Sequence, residues 1–286
     1  MLTKQRVSPT HFNSRENSMR KSILTVSVAA ALAAPALAAA ADPSPLTGNM
    51  SIVSDYRFRG ISQTYLGPAI QGGIDFAHPS GFYVGNWNSS VASQVFSGGS
   101  GIEMDFYGGW KKSFGDIGID IGTIYYYYPR AEFQGSDGNA KFDNWEIYLG
   151  ASWKWLSGKL YYAVTDYFGL SSEQSLGGYW SNRDTGALLG STADSSGTYY
   201  FDLSATIPLT KEFSVVAHYG KLEVNKYSEL DYQDWKLGVT YDLNGWVLGA
   251  AYVDSDADGG WYYTGGSKGN KATGDSTIVF SVMKTF

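Results

Sequence analysis

Beyond residue 40 the chain consists of stretches of about ten residues in which apolar and polar side chains alternate, a period of two that fits strands and not helices. Twelve such segments are legible, near 47–58, 68–77, 82–91, 101–112, 117–128, 142–154, 159–166, 197–207, 213–220, 231–241, 246–253 and 276–286. Each approaches the roughly 9–11 residues with which a tilted strand crosses a bilayer. None of the later sequence holds the ~18 consecutive apolar residues of a membrane helix. A membrane form of this chain therefore has to be a closed barrel, because an open sheet leaves backbone groups unpaired in lipid.

The connections between these segments alternate in length. Short ones, "HPSG" at 78, "SFGD" at 113, "LSG" at 156, "PLTKE" at 208 and "DLNG" at 242, carry the Gly, Pro, Asn and Asp chemistry of tight hairpins. Long ones, 59–67, 92–100, 129–141, 167–196, 221–230 and 254–275, separate them. In an outer-membrane barrel short turns face the periplasm and long loops face outward, and an even strand number leaves both chain ends on the periplasmic side. The pattern predicts an all-β fold, a 12-stranded antiparallel transmembrane up-and-down β-barrel over residues 41–286.

Parity assigns the faces. Trp235, Leu237, Val239 and Tyr241 share one face, and Asp234, Lys236, Gly238 and Thr240 the other. Trp145 to Trp153 and Phe213 to Tyr219 split in the same way. Period alone does not distinguish an apolar core from an apolar outside, but the rings do. Outward Trp110, Trp153, Trp155, Phe213, Tyr241 and Trp246 fall near the short-turn rim. Outward Tyr56, Phe58, Tyr125, Tyr127, Trp145, Tyr199, Phe201, Tyr219, Trp235 and Tyr252 fall near the other. Two aromatic girdles around a band of Ile, Leu, Val and Ala are what two headgroup interfaces select. The 35 Gly, 22 Tyr, 14 Phe and 9 Trp, with a mean hydropathy of −0.21, suit such a barrel better than a soluble core.

Residues 1–40 read as an export segment. Arg20 and Lys21 precede "SILTVSVAAALAAPALAAAA", with small residues at Ala36, Ala38 and Ala40 for cleavage. The residues before Met19 are polar, so either synthesis starts at Met19 or the n-region 1–18 is extended. Removing the five bases and one acid of residues 1–40 from 21 and 27 leaves 16 against 26, a formal charge of −10. That balance argues against nucleic acid as a partner. With no cysteine there is no disulfide framework, thiolate nucleophile or Cys-bound metal.

The stretches "LTGNMSIVSDYRFRGISQT" (46–64), "PAIQGGIDFAHPSGFYVG" (68–85), "EMDFYGGWKKSFGDIGIDIGTIYYYYP" (103–129) and "YDLNGWVLGAAYVDSD" (241–256) resemble the TorF-type putative porins. The resemblance runs from about residue 46 to Phe286 and implies an outer-membrane barrel with a pore, without naming its solute. The terminal strand, with Ile278, Phe280, Val282, Lys284 and Phe286 on one face, resembles the signal read by the barrel assembly machinery. Lys284 departs from the usual apolar residue, and near the rim it can snorkel.

Candidate functional residues lie on the inner face. Parity places Asp55, Arg57, Arg59, Asp75, Glu103, Asp105, Asp120, Glu146, Lys154, Asp202, Asp234 and Lys236 there, with Tyr126 and Tyr128. These charges either bound a narrow aqueous path or pair into ladders that fill the interior. Acids outnumber bases, which predicts a weak cation preference. Arg57 and Arg59 form a fork for anionic solutes or pair with acids such as Asp55. His218 falls near Asp202 and Asp234, the skeleton of a hydrolase base, with Ser204 as the nearest nucleophile. "DSDADG" (Asp254, Asp256, Asp258) opens like a calcium loop, but Gly265 stands where the closing Glu belongs. No cofactor and no metal are expected. The reading is a porin-like channel for small hydrophilic solutes in lipid and lipopolysaccharide. A hydrolase and a non-conducting recognition barrel are the alternatives.

Overall fold

Alternation of this kind leaves every strand with one apolar and one polar face, so a sheet of them is stable once it closes and the faces meet different surroundings. The computed structural model describes residues 45–93, 99–135, 138–171, 181–189, 194–263 and 271–286. The expected export segment lies outside them, as do parts of the connection 167–196.

Twelve antiparallel strands form a closed barrel. In chain order they are β1 (Leu46–Val53), β2 (Ala69–Ala77), β3 (Phe82–Ser90), β4 (Ile102–Phe114), β5 (Ile117–Tyr127), β6 (Asn144–Trp153), β7 (Leu156–Ala163), β8 (Tyr199–Pro208), β9 (Phe213–Glu223), β10 (Tyr232–Leu243), β11 (Trp246–Ser255) and β12 (Thr277–Thr285). Each pairs with its sequence neighbours, and β1 closes the wall against β12 through pairs such as Asn49 with Thr285 and Ile52 with Val282. Backbone bonds between Gly48 and Phe286, 3.2 and 2.8 Å, carry closure to the last residue. All twelve expected strands are present.

The short turns are tighter than the sequence implies. Leu243 pairs with Trp246, leaving Asn244 and Gly245 at φ 53° and 82°. These are left-handed positions of a two-residue hairpin whose twist matches the strands. Between β6 and β7 the turn is Lys154–Trp155, because Trp153 pairs with Leu156 and Gly158 stays within the strand opposite Ala151. Lys154, expected on the inner face, therefore sits exposed in this turn with Nζ 4.8 Å from the Trp153 ring centre.

Polarity is inverted relative to a water-soluble domain. Outward Ile70, Leu149 and Leu237 are 66, 57 and 61% exposed, while inward Glu146 and Asp234 are 1 and 2% exposed. Exposed rings stand at both rims, among them Phe82, Trp153 and Trp246 beside the short turns and Trp145, Tyr162, Tyr219 and Tyr252 toward the long connections. At the latter rim the Tyr125, Tyr219 and Tyr252 hydroxyls donate to Asp143, Gln233 and Asp254, an apolar ring with a wet tip. Lys284 reaches the short-turn rim, where Nζ donates to the Asn244 carbonyl at 3.3 Å and lies 5.5 Å from the Trp246 ring centre.

Inside the wall, tyrosines reach over glycines on neighbouring strands. A Cβ at Gly220 would meet the Tyr200 hydroxyl and Asp234, and one at Gly122 would meet Tyr148. This close approach is one use of the abundant Gly and Tyr. Gly220→Val should displace Tyr200 and destabilise the barrel by about 1–3 kcal/mol, as overpacking does. A lowered urea midpoint of the refolded protein is the readout; an unchanged midpoint contradicts this packing.

The first strand departs from expectation. It ends at Val53, and residues 55–67 turn into the barrel, with a small hairpin pairing Arg57–Phe58 with Ile61–Ser62. Asp55 organises this segment, accepting from Arg57 Nε (2.6 Å), Ser62 Oγ (2.6 Å) and Thr64 Oγ1 (3.1 Å). Gly60 and Arg59 take φ of 81° and 49° at its tip. Tyr56 and Phe58 are accordingly not rings of an outer girdle but buried interior residues. Parity fails here because a chain that leaves the wall carries no fixed face.

Candidate functional site in the barrel lumen

Two strata fill the interior. In the half toward the long connections, the inturned segment presents Arg59 to Glu146 of β6 in a forked pair, Nη1–Oε1 3.0 Å and Nη2–Oε2 2.7 Å. Their side chains are only 3 and 2% exposed. The guanidinium lies 4.3, 4.8 and 5.3 Å from the ring centres of Tyr200, Phe58 and Tyr161, and Nη1 also donates to Tyr167. Burial pushes the Tyr167 hydroxyl up to about 12, so it stays neutral beside this pair. Glu146 also accepts from Asn144 Nδ2 and Tyr126. Phe168, at φ 49° in the turn Tyr167–Gly169, wedges its ring against Phe58, Tyr126 and Tyr128.

Arg57 is equally committed, to Asp55 and to the carbonyls of Gly60, Thr273 and Asp275. Both arginines of "RFRG" are thus structural anchors rather than a fork open to solutes. Tyr56 packs edge-on to Trp87 and donates to Glu103 at 2.8 Å. Glu103 and Asp105 are fully buried side by side, with the Tyr56 and Tyr128 hydroxyls against Glu103.

In the half toward the short turns the same inward parity builds a partly exposed ion pair. Lys159 of β7 meets Asp120 of β5 at 2.7 Å, and Tyr83 donates to the same carboxylate. Tyr107 donates to Asp75. Nearer mid-barrel, and rising toward the long connections, His218 of β9 bridges its neighbours, with Nδ1 3.3 Å from Asp202 of β8 and Nε2 3.0 Å from Asp234 of β10. Lys236 stands beside His218 in register. Asp202 and Asp120 side chains are 23 and 20% exposed, against 2–3% for Arg59 and Glu146. Exposure falls from Asp120, near the short turns, to Glu146 and Asp234 (2 and 3%), near the long connections.

The structure brings Asp202, His218 and Asp234 together as the sequence indicates. Ser204 joins them, but its hydroxyl donates to Asp202 and approaches the same Nδ1 at 3.1 Å. The cluster is a charged strut across three strands. The acids of "DSDADG" disperse: Asp254 accepts from Tyr252, Asp256 from Gln233, and Asp258 from Gly260 N–H and Asn182. Among the described residues no three such side chains are arranged to hold a metal ion. A cavity of about 640 Å³ opens among the outer connections, lined by Arg57, Arg183, Asp258, Lys271 and Asp275.

Sequence reasoning missed Lys159, Tyr161, Tyr167 and Phe168. The first two lie on a strand whose start was placed three residues late. The signal available was the inward parity of Tyr161 opposite Tyr148. The others sit in a connection, where periodicity is silent.

Residues 37–286 match the model of a family described as a bacterial protein of unknown function, Gcw_chp. The chain belongs to that family. No curated protein matches the Gcw_chp chain by sequence. Among solved structures it is similar to a KdgM porin (8% identity, TM-score 0.47, covering 84% of this chain and 98% of that one). It is also similar to a NanC porin (10%, 0.46, 84% and 98%) and to a Salmonella typhi OmpF complex with daunomycin (7%, 0.40, 84% and 97%). The Gcw_chp match does not carry the TorF name.

Proposed function

We propose that this chain is a porin-like outer-membrane channel of the TorF type. It passes small hydrophilic solutes by passive diffusion, with a weak preference for cations, and does no chemistry. The inversion of polarity carries the reading: hydrocarbon suits a wall whose outside is Ile, Leu and Val between aromatic rims. The inside presents Asp75, Asp120, Lys159, Asp202 and Lys236. With residues 1–40 as export signal, the short turns and both chain ends face the periplasm. Lipid and lipopolysaccharide surround the wall, and the strand ending at Phe286 engages the assembly machinery.

The test is single-channel recording of refolded mature protein in planar bilayers. Discrete current steps are expected. Their absence, in wild type and in variants of the interior alike, would falsify the channel. Three inner bases are matched by Asp55, Glu146 and Asp120, and of the remaining inner groups Asp75 and the Asp202 and Asp234 carboxylates around His218 stand against Lys111 and Lys236. Reversal potentials under a salt gradient should therefore fall on the cation side; anion selectivity contradicts this balance.

A hydrolase is not favoured. Ser204 and Asp202 share one nitrogen of His218, and the cluster faces the lumen, away from lipid. Wild-type esterase activity lost in His218→Ala would revive that reading.

A further inference from the structure

We propose that residues 55–67 are a displaceable plug, an internal gate whose departure from the barrel opens the channel; this rests on the channel reading. Three observations converge. The segment holds its own shape, since Asp55 binds Arg57, Ser62 and Thr64 within it, so it can move as a unit. It leaves the wall after Ser54, still tied to Phe280, and rejoins it past Gly67, two fixed points between which it hangs inward.

The third is the nature of its seat. An apolar plug would be shut for good. This one is held by Arg59–Glu146 and Tyr56–Glu103, and by Arg57 and Ser62 N–H on the Thr273 and Asp275 carbonyls, polar contacts that water can replace. A buried ion pair is close to balanced, because desolvation offsets most of its attraction. Beside the Tyr56 hydroxyl, Glu103 and Asp105 crowd two carboxyl groups together in the dry interior. Hydration on opening relieves them. Against this stand the ring contacts of Phe58 with Tyr126 and Phe168 and of Tyr56 with Trp87, which favour the closed seat. Since the ion pair is close to balanced, the ring contacts are the main term holding the seat, and displacing them is what the gate requires.

A covalent lock tests this. Ala92 N–H donates to the Gln63 carbonyl at 2.9 Å, joining the plug to the chain just past the end of β3 without touching the ion pairs. The chain has no cysteine, so Gln63→Cys with Ala92→Cys forms one unique disulfide. In bilayers the oxidised double variant should show open probability at least about tenfold below wild type, and reductant should restore it. Oxidised and reduced forms conducting like wild type overturn the plug.

A second readout does not depend on current. Ser62 is 1% exposed, so Ser62→Cys reacts with a water-soluble maleimide only when the plug leaves. Slow labelling in intact vesicles, faster in a background that weakens the Arg59 seat, supports the gate. Labelling without any current retains the plug and removes the channel, whereas current with an inert thiol in Ser62→Cys and a silent lock removes the plug alone.

Discussion

Glu146→Ala gives a barrel with far more current than wild type at the same voltage. Glu146 supplies the carboxylate for Arg59, and both side chains are nearly inaccessible to water. Removing one partner of a buried pair leaves an unpaired charge and is worth about 3–5 kcal/mol. The Tyr200, Phe58 and Tyr161 rings soften that cost without cancelling it, since a cation over a ring gains about 2 kcal/mol when desolvated. The stranded guanidinium reaches water most directly by leaving the lumen with its segment. A bias of about 3 kcal/mol shifts a two-position equilibrium by roughly 100-fold. Single-channel recording reads this as raised open probability. Glu146→Gln keeps an acceptor and should fall between. Wild-type conductance in both variants would mean that the segment is held by its rings and not by its charge.

Leu237→Arg is the second large effect, and it acts on the opposite face. Leu237 sits mid-strand in β10, 61% exposed, between inward Lys236 and Gly238. On a hydrocarbon-facing wall a midplane arginine is unfavourable by about 2–4 kcal/mol, falling to ~0–1 kcal/mol near an interface. Leu243→Arg, beside the Asn244–Gly245 turn, is the matched rim control. Urea titration in lipid vesicles should show a large loss for the first and a small one for the second. Equal, negligible losses would mean that water and not lipid bathes this face, and the membrane reading would fall with it.

The contrast between Leu237 and Lys236 explains how much of the fold was legible. In a regular strand the face of each side chain follows from its neighbour, so one register choice sets a dozen residues. That is why all twelve strands, the closure ending at Phe286, and the inward placement of Asp75, Glu103, Asp105, Asp120, Glu146, Asp202, His218 and Asp234 follow from alternation alone. Errors of two or three residues at ends, as at Leu156, flip no face, but they move a residue such as Lys154 from wall to turn.

The stretch around "RFRG" shows the limit. Asp55, Tyr56, Arg57, Phe58 and Arg59 alternate as well as any strand in the chain, and periodicity extends the wall through them. They fold inward because Asp55 finds donors at Ser62 and Thr64 and because Arg59 finds Glu146, 87 residues away. The sequence by itself determined a closed wall with a greasy outside and a polar inside, since strand geometry is local and repeats every two residues. Only the tertiary structure decided that the first connection folds into the lumen, because that outcome depends on partners from distant strands meeting across the barrel, a distance no local period encodes.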